Sequence, residues 1–200
     1  MIFVGAIYVV TQYVRHSMEV SVFVLALSSV VLLAAVLVSL IFKLRGVMDG
    51  RSVAAAILSS VALAGGGVAV AIWVIYAPMN NRRDIALDAI AEHGALGVLP
   101  YFNEVALQLL GVLAGTYGLS LALATVAGGM FSAMAAVKDG FSRKIWLCGC
   151  FLFGWAANTR SVLLAIASMV LGGILVSGLG ASALSVLARM LGNLIRGFLA

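Results

Sequence analysis

Residues 105–137 read VALQLLGVLAGTYGLSLALATVAGGMFSAMAAV, a run of 33 residues without a charged side chain. A polar turn, KDGFSRK, follows at 138–144, and a second apolar run, IWLCGCFLFGWAA, occupies residues 145–157. About 20 apolar helical residues cross the ~30 Å hydrocarbon core of a bilayer. The stretch therefore predicts a hairpin of two membrane helices with a basic tip.

The composition extends this prediction to the whole chain. Hydrophobic residues make up 64% of the 200 residues and charged residues only 10%, which leaves too little polar surface for a soluble globule. The uncharged runs are apolar on every side instead of alternating with period two, so helices are favoured over a membrane β-barrel. We expect an all-α, polytopic transmembrane helix bundle, a single domain over residues 1–200, with four to five spans.

The candidate spans are bounded by charged or turn residues. They are 20–42, 53–77, 105–137, 145–159 and 161–183. Residues 105–137 would form a helix of about 50 Å, so this span either reaches into the head groups or breaks at Gly128-Gly129. Asn158–Arg160 either forms a turn near the far interface, which gives five spans and is the alternative we favour, or lies inside one long helix with Arg160 buried. An unpaired arginine at the centre of a span costs about 2.5–3.5 kcal/mol on insertion scales.

Three further segments lie outside the candidate spans. Residues 1–14 are too short to cross a bilayer, and they predict either an interfacial or re-entrant helix or an arm against a neighbouring subunit. Residues 80–103 form a polar loop whose RDIALDAIAEHG segment predicts a short helix that ends before Gly94. Residues 184–200 predict an amphipathic tail that lies on the membrane surface.

The net charge of +5 comes from basic residues dispersed in short turns. By the positive-inside rule, the turns near residues 43–51 and 138–144 are cytoplasmic, and the 80–103 loop is extracytoplasmic. This distribution favours contact with anionic lipid head groups over sequence-specific nucleic-acid binding. We expect a multi-pass membrane protein whose basic turns face the cytoplasm.

Glycine-rich faces predict where the helices pack. Gly111 and Gly115 form a G-x-x-x-G motif with Gly118 one turn later, and the second span contains three consecutive glycines. Small residues let the backbones of membrane helices approach closely. The candidate packing residues are Gly65, Gly66, Gly67, Gly111, Gly115 and Gly118.

The polar candidates form two groups. Asp84, Asp88 and Glu92 have the i, i+4, i+8 spacing of one helix face, which is either a solvated stripe or a contact for a basic partner or a divalent cation. The basic candidates are expected to contact lipid phosphates or to line a channel. They are Lys138, Arg143, Lys144 and Arg160.

Catalysis is not expected. The chain contains no H-E-x-x-H, G-x-S-x-G or P-loop motif, and the spans contain no Asp, Glu, Lys or His in their interior. We therefore predict no enzymatic activity, no catalytic residue, no metal site and no cofactor. The expected function is that of a structural membrane subunit. The alternative is a small channel or carrier in which Asn158, Arg160 and the Gly65–Gly67 segment face a hydrated path.

The module from Leu107 to Val162 combines a small-residue-rich apolar helix, a Lys/Asp/Gly turn and a second apolar helix. It resembles the small polytopic subunits of conjugative type IV secretion systems, in particular the TraQ and IcmC/DotE group, and more distantly the hairpin of conjugative pilins. The resemblance implies an inner-membrane component of a transfer apparatus or its pilus, without an active site. Its partners would be membrane lipids, further copies of itself and other secretion subunits. Lys138, Arg143 and Lys144 would form the basic turn of such a hairpin.

Overall fold

The computed structural model describes residues 2–46, 50–76, 80–137, 141–179 and 182, and this part of the chain contains helices and short turns but no strand. The α-helices are α1 (Ile2–Arg15), α2 (Ser17–Leu44), α3 (Gly50–Tyr76), α4 (Asn80–His93), α5 (Phe102–Val137), α6 (Phe141–Phe153) and α7 (Thr159–Val176). Among these residues, four helical segments are long and apolar enough to cross a membrane, in α2, α3, α5 and α7. The predicted all-α membrane bundle is confirmed.

Helix α5 lies at the centre of the bundle, where it contacts α2, α3, α6 and α7. Its Leu119 is fully buried. Helices α2 and α3 pack antiparallel, since Ser21 lies beside Ala71 and Ser28 beside Gly67. Of the two alternatives for residues 105–137, the structure shows the unbroken helix: α5 continues through Gly128-Gly129 as one α-helix of 36 residues. At about 54 Å, this helix is longer than the hydrocarbon core, so its ends reach the head-group region.

The chain does not reverse between α6 and α7. Gly128 of α5 contacts Phe153 and Ala157, Gly118 contacts Ala165, and Gly111 contacts Val176. Helices α6 and α7 therefore both run antiparallel to α5, one after the other. Each packs against α5, and they make few contacts with each other. Together they make one interrupted pass. The reversal at Asn158–Arg160 that five spans required does not occur.

The two ends of the bundle differ in chemistry. At one end, which we call the basic end, Lys43 lies in the last turn of α2 and Arg45 directly follows that helix, and Arg143 and Lys144 lie in the first turn of α6. Lys138 and the predicted tail at 184–200 lie outside the described residues. At the other end, the capped end, α1, α4 and a 3-10 helix (Gly94–Tyr101) pack around the start of α5.

Helix α1 is part of this cap. Its Ile7, Val10 and Val14 are buried, and the helix contacts α4, α5 and the 3-10 helix of its own chain. The predicted helix in the 80–103 loop is present as α4, and Gly94 follows it with a φ of +65°. That conformation suits glycine because it lacks a Cβ.

Candidate functional site

Three glycines of α5 lie in close contact with neighbouring helices. Gly111 faces Gly172 and Val176 of α7, and Gly118 faces the carbonyl oxygen of Ala165. Gly115 lies against Val70 of α3. The G-x-x-x-G motif therefore packs against other helices of the same chain.

The three glycines of α3 have three different surroundings. Gly66 lies against the Met169 side chain, and Gly67 against Ser28 and Leu119. Gly65 is exposed, with nothing within 4 Å of the position that a Cβ would occupy. Gly66 and Gly67 therefore lie at contacts with neighbouring helices, whereas Gly65 lies on the outer surface.

A stripe of small and β-branched residues along α2 was missed by the sequence reasoning. Its buried positions follow one another three or four residues apart, which is the spacing of a helix face. They are Ser17, Ser21, Val24, Ser28, Val31, Ala35, Ser39 and Phe42. The Ser21 hydroxyl donates to the carbonyl oxygen of Ala71 at 2.7 Å and so joins α2 to α3. The heptad-like recurrence of serine was the signal that could have revealed this interface.

The interruption between α6 and α7 satisfies most of its own backbone groups. Asn158 caps α7: its Oδ1 accepts from the Ser161 N–H at 2.8 Å, and its Nδ2 donates to the Trp155 carbonyl oxygen at 2.6 Å. Trp155 Nε1 donates to the carbonyl oxygen of Leu152 at 2.8 Å, and the Ala157 N–H donates to that of Gly154 at 3.1 Å. The side chains of Trp155 and Asn158 thus replace helical hydrogen bonds that the break removes.

This break lies inside the depth of the bundle. Gly128, which it contacts, is six residues before Met134, and Met134 lies beside the Arg45 guanidinium at the basic end. Six helical residues correspond to about 9 Å along the axis. The interruption therefore sits below the level of the charged helix ends.

Arg160 is neither at the far interface nor buried in a helix interior. It occupies the second position of α7, directly after the break, and its side chain is exposed on the outer surface of the bundle. Val162 borders the same cavity as Thr125 and Val126, so Arg160 is nearer to the basic end than to the capped end. No described acidic side chain forms an ion pair with it. The expected far-interface position was wrong because α6 ends after only 13 residues.

The other charged candidates lie at the two ends. Arg143 and Lys144 are exposed in the first turn of α6. Asp84, Asp88 and Glu92 are exposed on α4, whose buried residues Ala86 and Ile90 face the cap. Within the described ranges, no group of three or more His, Cys, Asp or Glu is arranged to hold a metal ion.

Several cavities border the membrane helices in the described part of the chain. An apolar groove of about 470 Å³ lies between α3 and α7, with Trp73 and Met169 in its walls. Two further cavities, of about 490 and 270 Å³, lie between α2 and α5 towards the basic end. Cys148 and Cys150 of α6 are both free thiols.

No protein-family model matches the chain, and searches of curated proteins and of solved structures return no match.

Proposed function

We propose that the chain is a structural membrane subunit that assembles with other membrane proteins. The observation that carries this proposal is the outward exposure of Asn158, Thr159 and Arg160 at an interrupted helix within the depth of the bundle. Lipid-exposed irregular backbone and unpaired ionisable side chains are disfavoured in the hydrocarbon region. A second protein that covers this surface removes both costs.

The internal use of the glycine motif restricts how such an assembly forms. Gly111, Gly115 and Gly118 already pack against α3 and α7, so these positions stabilise the subunit itself. The surface around the break, where Leu152, Trp155 and Arg160 are exposed, is then the contact that we propose between subunits. A transport path within one chain lacks comparable support, because Arg160 and Gly65 both face outward.

The basic-tipped hairpin motivates a more specific proposal for the assembly. Its pattern resembles subunits of conjugative type IV secretion systems, and we propose a bacterial transfer apparatus of this kind, in the inner membrane, as the assembly. Deletion of the gene is expected to reduce transfer from a donor cell, and a complementing copy is expected to restore it. Unchanged transfer in the deletion strain contradicts the secretion assignment without affecting the proposed surface.

Photo-crosslinking tests the surface directly. A benzoyl-phenylalanine residue at Leu152, beside the break, is compared with one at Leu33, on the outer face of α2; these leucines are 61% and 62% exposed. In membranes of the native host, we expect protein adducts from position 152 and only lipid adducts from position 33. If position 152 yields no protein adduct, the break faces lipid and the proposal is wrong.

A further inference from the structure

Two neighbouring cavities lie along α2 and α5 towards the basic end, and we treat them together as one crevice. Their linings share Val38, Phe42 and Met130, so the cavity of about 490 Å³ and the one of about 270 Å³, which α3 also borders, are adjacent. The outer part is walled by Val38, Ile41 and Phe42 of α2, Met130 and Met134 of α5, and Trp146 of α6. Unbranched methionine side chains adapt to irregular apolar occupants.

The depth of this crevice corresponds to one leaflet of a bilayer. Its lining extends along α2 from Arg45 at the mouth to Ala35 at the inner end. Ten helical residues span about 15 Å, which is half of the ~30 Å hydrocarbon core. Three hydroxyl groups border the inner part of the crevice and already donate to carbonyl oxygens of their own helices, those of Ser59, Ser60 and Thr125. These hydroxyl groups therefore do not need water as a hydrogen-bond acceptor.

The mouth carries positive charge in a form suited to phosphate. The Arg45 guanidinium is exposed and donates to the Sδ of Met134 at 3.5 Å, although a thioether sulfur is only a weak acceptor. Arg143 precedes Trp146 by three residues, a spacing that places both on one face of α6. Arginine presents a planar set of N–H donors whose geometry matches phosphate oxygens. A lipid phosphate would accept several hydrogen bonds from such donors.

We propose that this crevice binds one acyl chain of an anionic phospholipid, with the lipid phosphate held by Arg45 and Arg143. The apolar walls select the chain, the one-leaflet depth sets its length, and the two arginines select the negative charge. Arg45 lines the crevice, and Arg143 does not line it but shares a face of α6 with the lining Trp146, whereas Lys43 and Lys144 lie at the same end of the bundle without either relation to it. They provide a matched pair of cations outside the site.

Fluorescence quenching tests the site. Trp73→Phe with Trp155→Phe leaves Trp146 as the only tryptophan, and Trp146 borders the crevice. Two vesicle samples are compared, both made mainly of unlabelled phosphatidylcholine. One contains a minor fraction of brominated phosphatidylglycerol, and the other contains the same fraction of brominated phosphatidylcholine. The bromine atoms on the acyl chains quench indole fluorescence on contact. We expect stronger quenching by the brominated phosphatidylglycerol, with a local enrichment of roughly fivefold per arginine.

Charge-matched variants separate the site from the general field of the basic end. Arg45→Gln with Arg143→Gln is expected to abolish the preference, whereas Lys43→Gln with Lys144→Gln is expected to retain most of it. Equal quenching by both brominated lipids, or an equal loss in both double variants, overturns the proposal. Native mass spectrometry of protein with all its tryptophans provides a second readout: phosphatidylglycerol should remain bound to the lysine variant and be lost from the arginine variant. Retention by both variants also overturns it.

Discussion

The backbones of Gly111 and Gly172 lie directly against each other. A Cβ on Gly172 would lie 2.7 Å from the carbonyl oxygen of Gly111, and a Cβ on Gly111 would lie 2.8 Å from that of Gly172. Neither distance leaves room for a methyl group, and both neighbours are backbone atoms that cannot rotate away. This contact fixes the distance between α5 and α7.

Gly172→Ala is therefore expected to lower the stability of the subunit by about 1–3 kcal/mol, the usual cost of overpacking. Gly129→Ala is the matched control, because Gly129 lies in α5 with nothing within 4 Å of its added Cβ. The melting temperature in detergent, measured by size-exclusion chromatography after heating, should fall only for Gly172→Ala. Equal melting temperatures contradict the close contact.

Ser21→Ala removes the hydrogen bond between α2 and α3. Hydrogen bonds between membrane helices contribute about 0.6 kcal/mol on average, so we expect a small but measurable fall in melting temperature. Ser29→Ala is the control, since Ser29 is exposed and donates only to Leu25 of its own helix. A larger effect at Ser29 than at Ser21 contradicts the assigned contact.

Asn158→Ala removes both the cap of α7 and the hydrogen bond to the Trp155 carbonyl oxygen. Loss of a helix cap costs about 0.5–2 kcal/mol. Asn158→Ser keeps a neutral capping acceptor and loses the amide donor, so its melting temperature should fall between those of the wild type and Asn158→Ala. Asn103→Ala, at an exposed position in the first turn of α5, should leave the melting temperature unchanged. A Ser variant as unstable as the Ala variant contradicts this expectation and assigns the effect to the donor alone.

The interrupted pass of α6 and α7 predicts the side of the membrane on which α7 ends. In a Cys148→Ala, Cys150→Ala background, an impermeant maleimide on intact cells should label Asp88→Cys and Leu179→Cys but not Lys144→Cys. The positive-inside rule places Lys144 in the cytoplasm, and the direction of α7 places Leu179 near the capped end. Protection of Leu179→Cys from the reagent, with Asp88→Cys labelled, restores the reversal at Asn158–Arg160.

The acidic stripe on α4 is expected to behave as a solvated surface. Asp88→Asn removes repulsion between like charges four residues apart, which is worth about 0.2–0.5 kcal/mol in a helix, so the melting temperature should stay constant or rise slightly. Addition of Mg²⁺ or Ca²⁺ should not shift the melting temperature of the wild type relative to a sample in EDTA. A stabilisation by either ion that Asp88→Asn removes contradicts this expectation.

The class of the protein was accessible from the sequence because long apolar runs have few alternatives to membrane helices. The end of α4 before Gly94 was equally accessible, since it follows from local backbone geometry. Small residues in apolar helices permit close approach of a neighbouring backbone. For that reason the sequence predicted packing positions at glycines 66, 67, 111, 115 and 118. Their partners were not accessible, because the spacing along one helix does not identify which helix faces it.

The sequence by itself determined that the chain forms apolar helices with a basic end, since hydropathy and charge act locally. Lipid allows only helices or closed barrels to satisfy the backbone hydrogen bonds, and the apolar runs lack the alternation of a barrel. Only the tertiary structure decided the direction of the chain after Asn158, the outward position of Arg160 and the crevice beside Arg45. A polar Asn-Thr-Arg segment is compatible both with a reversal and with an interrupted pass. The choice depends on long-range packing. Gly128 contacts Phe153 and Ala157, and Gly118 and Gly111 contact α7 along the same α5 helix.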